Sequence, residues 1–356
     1  MGSSADGLVK VSRSRAVYKQ ITGRKYAYLL VSAVALVVAM IADIVTGPSG
    51  LSVQQAVATI ISPGSADTTT RAIVWLIRLP VAVTALTVGA SLGMAGAEMQ
   101  TILGNPLASP YTLGIASAAG FGAALAIVLG VGVMPVAGQF LIPLNAFVFA
   151  LLCSFVVYLV ARLKQATTET LILTGVALHF LFSSLIALLK YLATSERLHA
   201  VVFWLFGDLN KARWPDIAVI GSFLLVVYPI LARDAWKLTA LRLGDEKAES
   251  LGVDVERLRL KVLLLISALT ATAICFVGTI GFIGLAAPHI ARMLVGEDQR
   301  FYVPLSTIGG ALLLSIASIA SKSIVHGVVF PVGVITSFIG IPFFVSLVLR
   351  KRKRFW

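Results

Sequence analysis

Residues 78–114, RLPVAVTALTVGASLGMAGAEMQTILGNPLASPYTLG, join a long apolar stretch to a polar, bent one. At 1.5 Å per residue the first part, 78–98, crosses the hydrocarbon core of a bilayer, which takes about 20 apolar residues. Past Glu98 the character changes. Asn105-Pro106 and Ser109-Pro110 each force extended or turned backbone on the residue before proline, so a rigid non-helical loop is expected there. A second polar island, LGDEKAESLGV, follows at 243–253. In an otherwise apolar chain such islands mark places where the polypeptide leaves the lipid.

Outward from this segment the same apolar pattern repeats. Spans are expected at 26–46, 78–98, 112–132, 142–161, 170–192, 214–232, 260–278, 282–295, 305–322 and 332–349. The eighth is short, and Gly281, Gly284 and Pro288 predict that it is partly non-helical where protein surrounds it. Composition agrees with a membrane protein. The 356 residues are 58% hydrophobic and 13% charged, with mean hydropathy +0.95, too little polar surface to cover a soluble globule. The fold class is therefore all-α, a polytopic membrane protein of about ten transmembrane helices.

A net charge of +13 and a pI near 10 raise the question of nucleic acid. The basic residues form no single patch interleaved with aromatics, so no nucleic-acid partner is expected. They lie between apolar segments. With the N-terminus inside, most of the 29 Lys and Arg fall on the cytoplasmic side, and an even number of spans returns the basic tail there too. The expected organisation is a cytoplasmic basic segment at 1–25, one transmembrane domain at 26–350 with a cytoplasmic loop at 233–259, and a basic tail at 351–356. No cleavable signal peptide is apparent, since the first apolar stretch has the length of an anchor. The location implied is a cell membrane, with lipid as a partner and both termini cytoplasmic. Cys153 and Cys275 stand alone in apolar runs and are expected to be packing residues. Gly89 and Gly93, and Gly114, Ala118, Gly122, Ala126 and Gly130, recur at helical spacing and predict close helix contacts. Extended polar loops are expected at 47–77, 193–213 and 233–259.

Buried ionisable groups in a membrane usually mark ion or proton pathways, and few are evident here. Glu98 falls at an inner end, Lys190 near an outer end, and Glu169 at a helix start, where the dipole favours a carboxylate. His179 is the main candidate for a buried titratable group, read as a neutral, hydrogen-bonded histidine. This scarcity weighs against a secondary transporter, and the lack of a catalytic constellation weighs against a membrane enzyme. None of the 30 glycines precedes a lysine, so the chain carries no phosphate-cradling loop of its own, and if it transports against a gradient the energy comes from another subunit.

Arg78-Leu79-Pro80, residues 95–114, 244–253, Gly281-Phe282-Ile283-Gly284-Leu285 with Pro288-His289-Ile290-Ala291-Arg292, Pro331-Val332-Gly333 and 340–344 resemble the permease family of type II ABC importers. The matches run in order over roughly 70–350. The resemblance implies a non-catalytic permease for ferric siderophores, haem or cobalamin in the bacterial inner membrane. It implies a second permease copy or paralogue, two ATP-binding subunits below and a periplasmic or lipoprotein binding protein above. No cofactor or metal is expected on this chain itself; ATP and Mg belong to the partner ATPase. The wording of 105–114, 278–297 and 330–344 is most similar to ferric-siderophore permeases. His199 and His326, near the outer face, are read as solvated rather than as haem ligands.

By its residues alone, 244–253 reads equally as a docking helix or a solvated connector. Asp245, Glu246 and Glu249 suit a helix start, Ala248 and Leu251 share a side, and Gly252 suits a left-handed stop. By resemblance, Gly244, Asp245, Glu246, Ala248, Leu251 and Gly252 form the coupling helix that meets the ATPase. Asn105 and Leu107 match one layer of a cytoplasmic gate, and Thr168 and Ile172 another; an ordinary turn and helix cap is the alternative. Gly104 and Ile172 depart modestly from the family pattern. Arg78 and Lys322, at outer ends of spans, match positions that meet acids on the binding protein, with snorkelling anchors as the alternative. Val81 stands where many relatives have Arg, and Ser318 where Asp is common.

Overall fold

The computed structural model describes residues 3–48, 50–132, 138–163, 167–325 and 327–349. The chain opens with α1 (Ser3–Val45), and two short helices, α2 (Val53–Ile61) and α3 (Thr68–Ala72), lead through a π-helical turn at Ile73–Arg78 into α4 (Leu79–Ile102). Then come α5 (Ile115–Leu129), α6 (Leu141–Leu163), α7 (Thr168–Leu192), α8 (Ser195–Leu205) and α9 (Trp214–Arg233). Two short helices, α10 (Ala235–Leu241) and α11 (Asp245–Ser250), precede α12 (Val255–Val277), α13 (Ile283–Val295), α14 (Gln299–Ser323) and α15 (Val332–Leu349). The basic tail at 351–356 and His326 lie outside the described residues.

Among the described residues, seven segments are long and apolar enough to span a bilayer, and shorter apolar helices stand at Ile115–Leu129, Ile283–Val295 and Val332–Ser346. Together they occupy the ten places expected from the sequence. The eighth differs in detail. Its helix runs through Gly284 and Pro288, and the non-helical part lies just ahead, where Gly278 and Phe282 have φ of 80° and 66°. The polar loops also differ. Residues 47–77, 193–213 and 233–259 are largely folded into short helices, and Val201 and Trp204 of α8 are buried. Local chemistry sets the starts: Asp254 accepts from Arg257 N at 3.0 Å and Asp298 from Arg300 N at 3.1 Å, capping α12 and α14.

The bundle centres on α4, most of whose residues are buried. Lipid tails are as apolar as the side chains, so helix association depends on close packing rather than on a hydrophobic drive. Gly89, Gly93 and Gly310 supply it. A Cβ at Gly89 would sit 2.5 Å from Gly310 O, and one at Gly310 would sit 2.2 Å from Gly89 O. α4 and α14 therefore touch backbone to backbone. In the other small-residue series, Gly122 meets Asn145 of α6 and Gly114 lies against the backbone of α7 at Gly175 and His179, while Gly114 and Gly130 also cap the two ends of α5. Cys153 and Cys275 are buried and unpaired by any disulfide.

Candidate functional site

The elbow at 244–253 is a one-and-a-half-turn helix between two glycines. Gly244 and Gly252 have φ of 100° and 81°, backbone that L side chains rarely adopt, so the chain enters and leaves α11 sharply. Asp245 is chelated by Arg259, whose Nη1 and Nη2 donate at 2.9 and 2.8 Å. The same guanidinium donates from Nε to Ile102 O, the last residue of α4, at 2.7 Å. One buried arginine thus ties the elbow to the end of the central helix. Ala248 is fully buried against the bundle, while Leu251 and Leu243 are about half exposed. Glu246 and Glu249 are exposed beside them.

Further charges close the end of α4. Arg242 pairs with Glu297, and Arg292 reaches Glu297 at 3.4 Å, Gln100 Oε1 at 3.0 Å and the Tyr302 hydroxyl at 3.2 Å. Burial, then the nearby Arg292 charge, holds the Arg242 guanidinium below its ordinary pKa. Cations suit this position, because the final carbonyls of a helix lack intrahelical partners. Asp234 joins Lys261 at 2.5 Å and Lys237 at 3.3 Å. Burial pushes its carboxyl upward, but the hydrogen bonds from these two lysines prevail and hold it below the usual carboxylate range.

The bent loop follows directly. Asn105 accepts from Leu107 N at 2.9 Å through its Oδ1, a local turn that leaves Leu107 half exposed. Thr168 opens α7, capped by Thr167, and Ile172 is partly buried against the main core. The two pairs sit on segments that pack together: a Cβ at Gly175 of α7 would lie 2.7 Å from Leu113 Cα. No direct contact joins Asn105 or Leu107 to Thr168 or Ile172 among the described hydrogen bonds and ion pairs. His179, expected to be buried, is exposed on the surface of α7.

Beyond the loop lies a cavity of about 490 Å³ lined by Tyr111, Phe206, Thr279, Phe282, Ser337 and their neighbours. Three irregular segments meet at its wall. Asp208 N donates to Val277 O at 2.7 Å, Gly333 N to Phe206 O at 3.1 Å, and the Thr279 hydroxyl to Leu205 O. Non-helical backbone survives at membrane depth only where protein or a cavity surrounds it, and both conditions hold here. Every lining side chain is uncharged, a mainly apolar surface with a few hydroxyls.

The model of the FecCD transport family matches residues 35–350. The chain belongs to the FecCD transport family. A protein of Methanocaldococcus jannaschii assigned as an ABC transporter permease is 39% identical over 344 residues, covering 95% of this chain and 98% of that protein. A hemin transport system permease protein of Yersinia pestis is 36% identical, with 79% and 84% covered. Among solved structures, one described as an inward-facing metal-chelate type ABC transporter matches with TM-score 0.78 and 30% identity, over 92% of this chain and all of that one.

At the opposite end of the bundle this FecCD-family chain brings Arg78 and Lys322 together, though not on an open surface. Both are buried, and an aspartate of α1 holds the second. Lys322 Nζ contacts Asp43 Oδ1 at 2.7 Å and donates to Asp43 O at 2.9 Å, while Arg78 donates to Thr46 O. Ser318 donates to Asp43 Oδ2 at 3.1 Å. The carboxylate that the resemblance leads one to expect at 318 has a counterpart in Asp43 of α1. Sequence reasoning missed Asp43, Arg242 and Arg259. Asp43 had one visible signal, a carboxylate at the end of an apolar run; the arginines were hidden among topology-setting charges.

Proposed function

We propose that this chain is the non-catalytic permease subunit of an ATP-driven importer for ferric siderophores, in the bacterial inner membrane with both termini cytoplasmic. Two ATP-binding subunits meet the elbow, a periplasmic or lipoprotein binding protein delivers cargo at the Arg78–Lys322 end, and a second permease completes the path. The observation that carries this reading is the elbow: an acidic, leucine-tipped helix held by Arg259 on the end of the helix that leads into the Asn105 loop. A push on α11 is passed to that loop through one rigid contact. Asn105, Leu107, Thr168 and Ile172 then act as gate layers, narrowing the path by size rather than by reacting. The uncharged cavity fits a bulky chelate whose metal charge is already neutralised, since a bare cation would lose its hydration there without compensation.

Reconstitution with the cognate ATPase and binding protein tests the proposal, followed by uptake assays over ferric siderophores, ferric citrate, haem and cobalamin. ATP-dependent uptake of siderophore complexes in preference to the others is expected. Preferential haem or cobalamin uptake would move the substrate assignment within the family. Uphill transport by the chain alone would overturn the subunit role.

A further inference from the structure

On the α10 side of the elbow end, a second cavity of about 240 Å³ is lined by Glu98, Tyr228, Ala235, Gln299, Arg300 and their neighbours. Glu98 is 1% exposed, and neither carboxylate oxygen accepts a hydrogen bond among the described residues. Gln299 is equally buried, and its Oε1 is likewise unpartnered. The orientation of that amide is settled by its neighbour. The Thr101 hydroxyl spends its single proton on Ala97 O at 2.9 Å, so it can only accept from Gln299, at 2.8 Å, which must therefore be Nε2. Flipping the amide would lose this bond, while Nε2 keeps a second N–H.

Three acceptor oxygens on two helices, α4 and α14, are thus buried at one cavity that Tyr228 also lines, and none of them accepts a hydrogen bond among the described residues. Nearby charges are already committed. Asp234 is held by Lys237 and Lys261, and Arg300 by Asp298 at 3.0 and 2.7 Å. An ionised Glu98 would be an uncompensated negative charge there, which is costly to hold away from bulk water and cations. A donor set made only of carboxylate and amide oxygens selects a hard cation, and a single charge matches a monovalent one. The space suffices for an ion that keeps several waters.

We propose that Glu98 and Gln299 form a monovalent-cation site, for Na⁺ or K⁺, that braces α4 against α14 at the elbow end. This is independent of the cargo. The test is thermal unfolding of the purified full chain in NaCl, KCl, choline chloride or MgCl₂ at constant ionic strength. Na⁺ or K⁺ is expected to raise the midpoint over choline by about 3 °C, with the difference lost in Glu98→Gln. Crystals soaked in thallium or rubidium should show an anomalous peak beside Glu98 and Gln299, a readout that does not depend on the variant folding. A midpoint indifferent to the cation would overturn the proposal, as the carboxyl would then carry its own proton. So would a shift that persists in Glu98→Gln, a response to Mg²⁺ alone, or a soak with no peak in the cavity.

Discussion

Replacing Arg259 with Gln should uncouple the elbow from α4, and the structure sets the scale. The arginine side chain is 7% exposed, whereas that of Asp245 is 49% exposed. Solvent screening therefore limits the ion pair to about 1 kcal/mol despite its bidentate geometry. The bond to Ile102 O is buried and charge-assisted, and contributes about 2 kcal/mol. Arg259→Gln should destabilise by about 3 kcal/mol in total and Asp245→Asn by about 1 kcal/mol. The double variant should be no worse than Arg259→Gln alone, a coupling of about 1 kcal/mol. Chemical unfolding in detergent gives the cycle, and amide hydrogen exchange over 245–251 should quicken in both single variants. Additivity within about 0.3 kcal/mol would refute the argument that this pair holds the elbow.

Lys322→Ala should cost about 3–5 kcal/mol by stranding Asp43 in the interior, and Asp43→Asn with Lys322→Met should recover most of it, as thermal unfolding will show. For the same reason, reversing Arg78 and Lys322 together would gather three carboxylates in one buried place, so reduced insertion is expected, measurable as lower membrane yield. Gly310→Val should disrupt the α4–α14 contact by 3 kcal/mol or about that, because the added carbons meet backbone rather than a flexible side chain; normal yield and midpoint would contradict it. The lowered Asp234 pKa implies stabilisation that is complete above the unfolded carboxylate value of about 3.9 and lost as pH falls through the lower folded one. Below pH 4, about where the carboxyl begins to protonate, the wild type should lose stability more steeply than Asp234→Asn, a comparison made by midpoint against pH.

Much was legible in the residues themselves. Ten apolar stretches, the bends at Asn105-Pro106 and Ser109-Pro110, and the glycines bounding 244–253 are local properties, written in hydropathy and backbone preference, and they placed the spans and the elbow. The interior charges were not legible. Asp43 and Lys322 are far apart in sequence, so their pairing exists only because α1 and α14 end at the same level. Glu98 read as an interfacial carboxylate because depth along one helix says nothing about what packs around it, and His179 read as buried for the same reason. Arg259 had the look of a topology-setting charge until folding brought the last carbonyl of α4 and the carboxylate of Asp245 to its two edges. Periodicity specifies which segments enter the membrane; which polar groups meet inside it is decided by helix packing, since only there does a charge acquire or lack a partner.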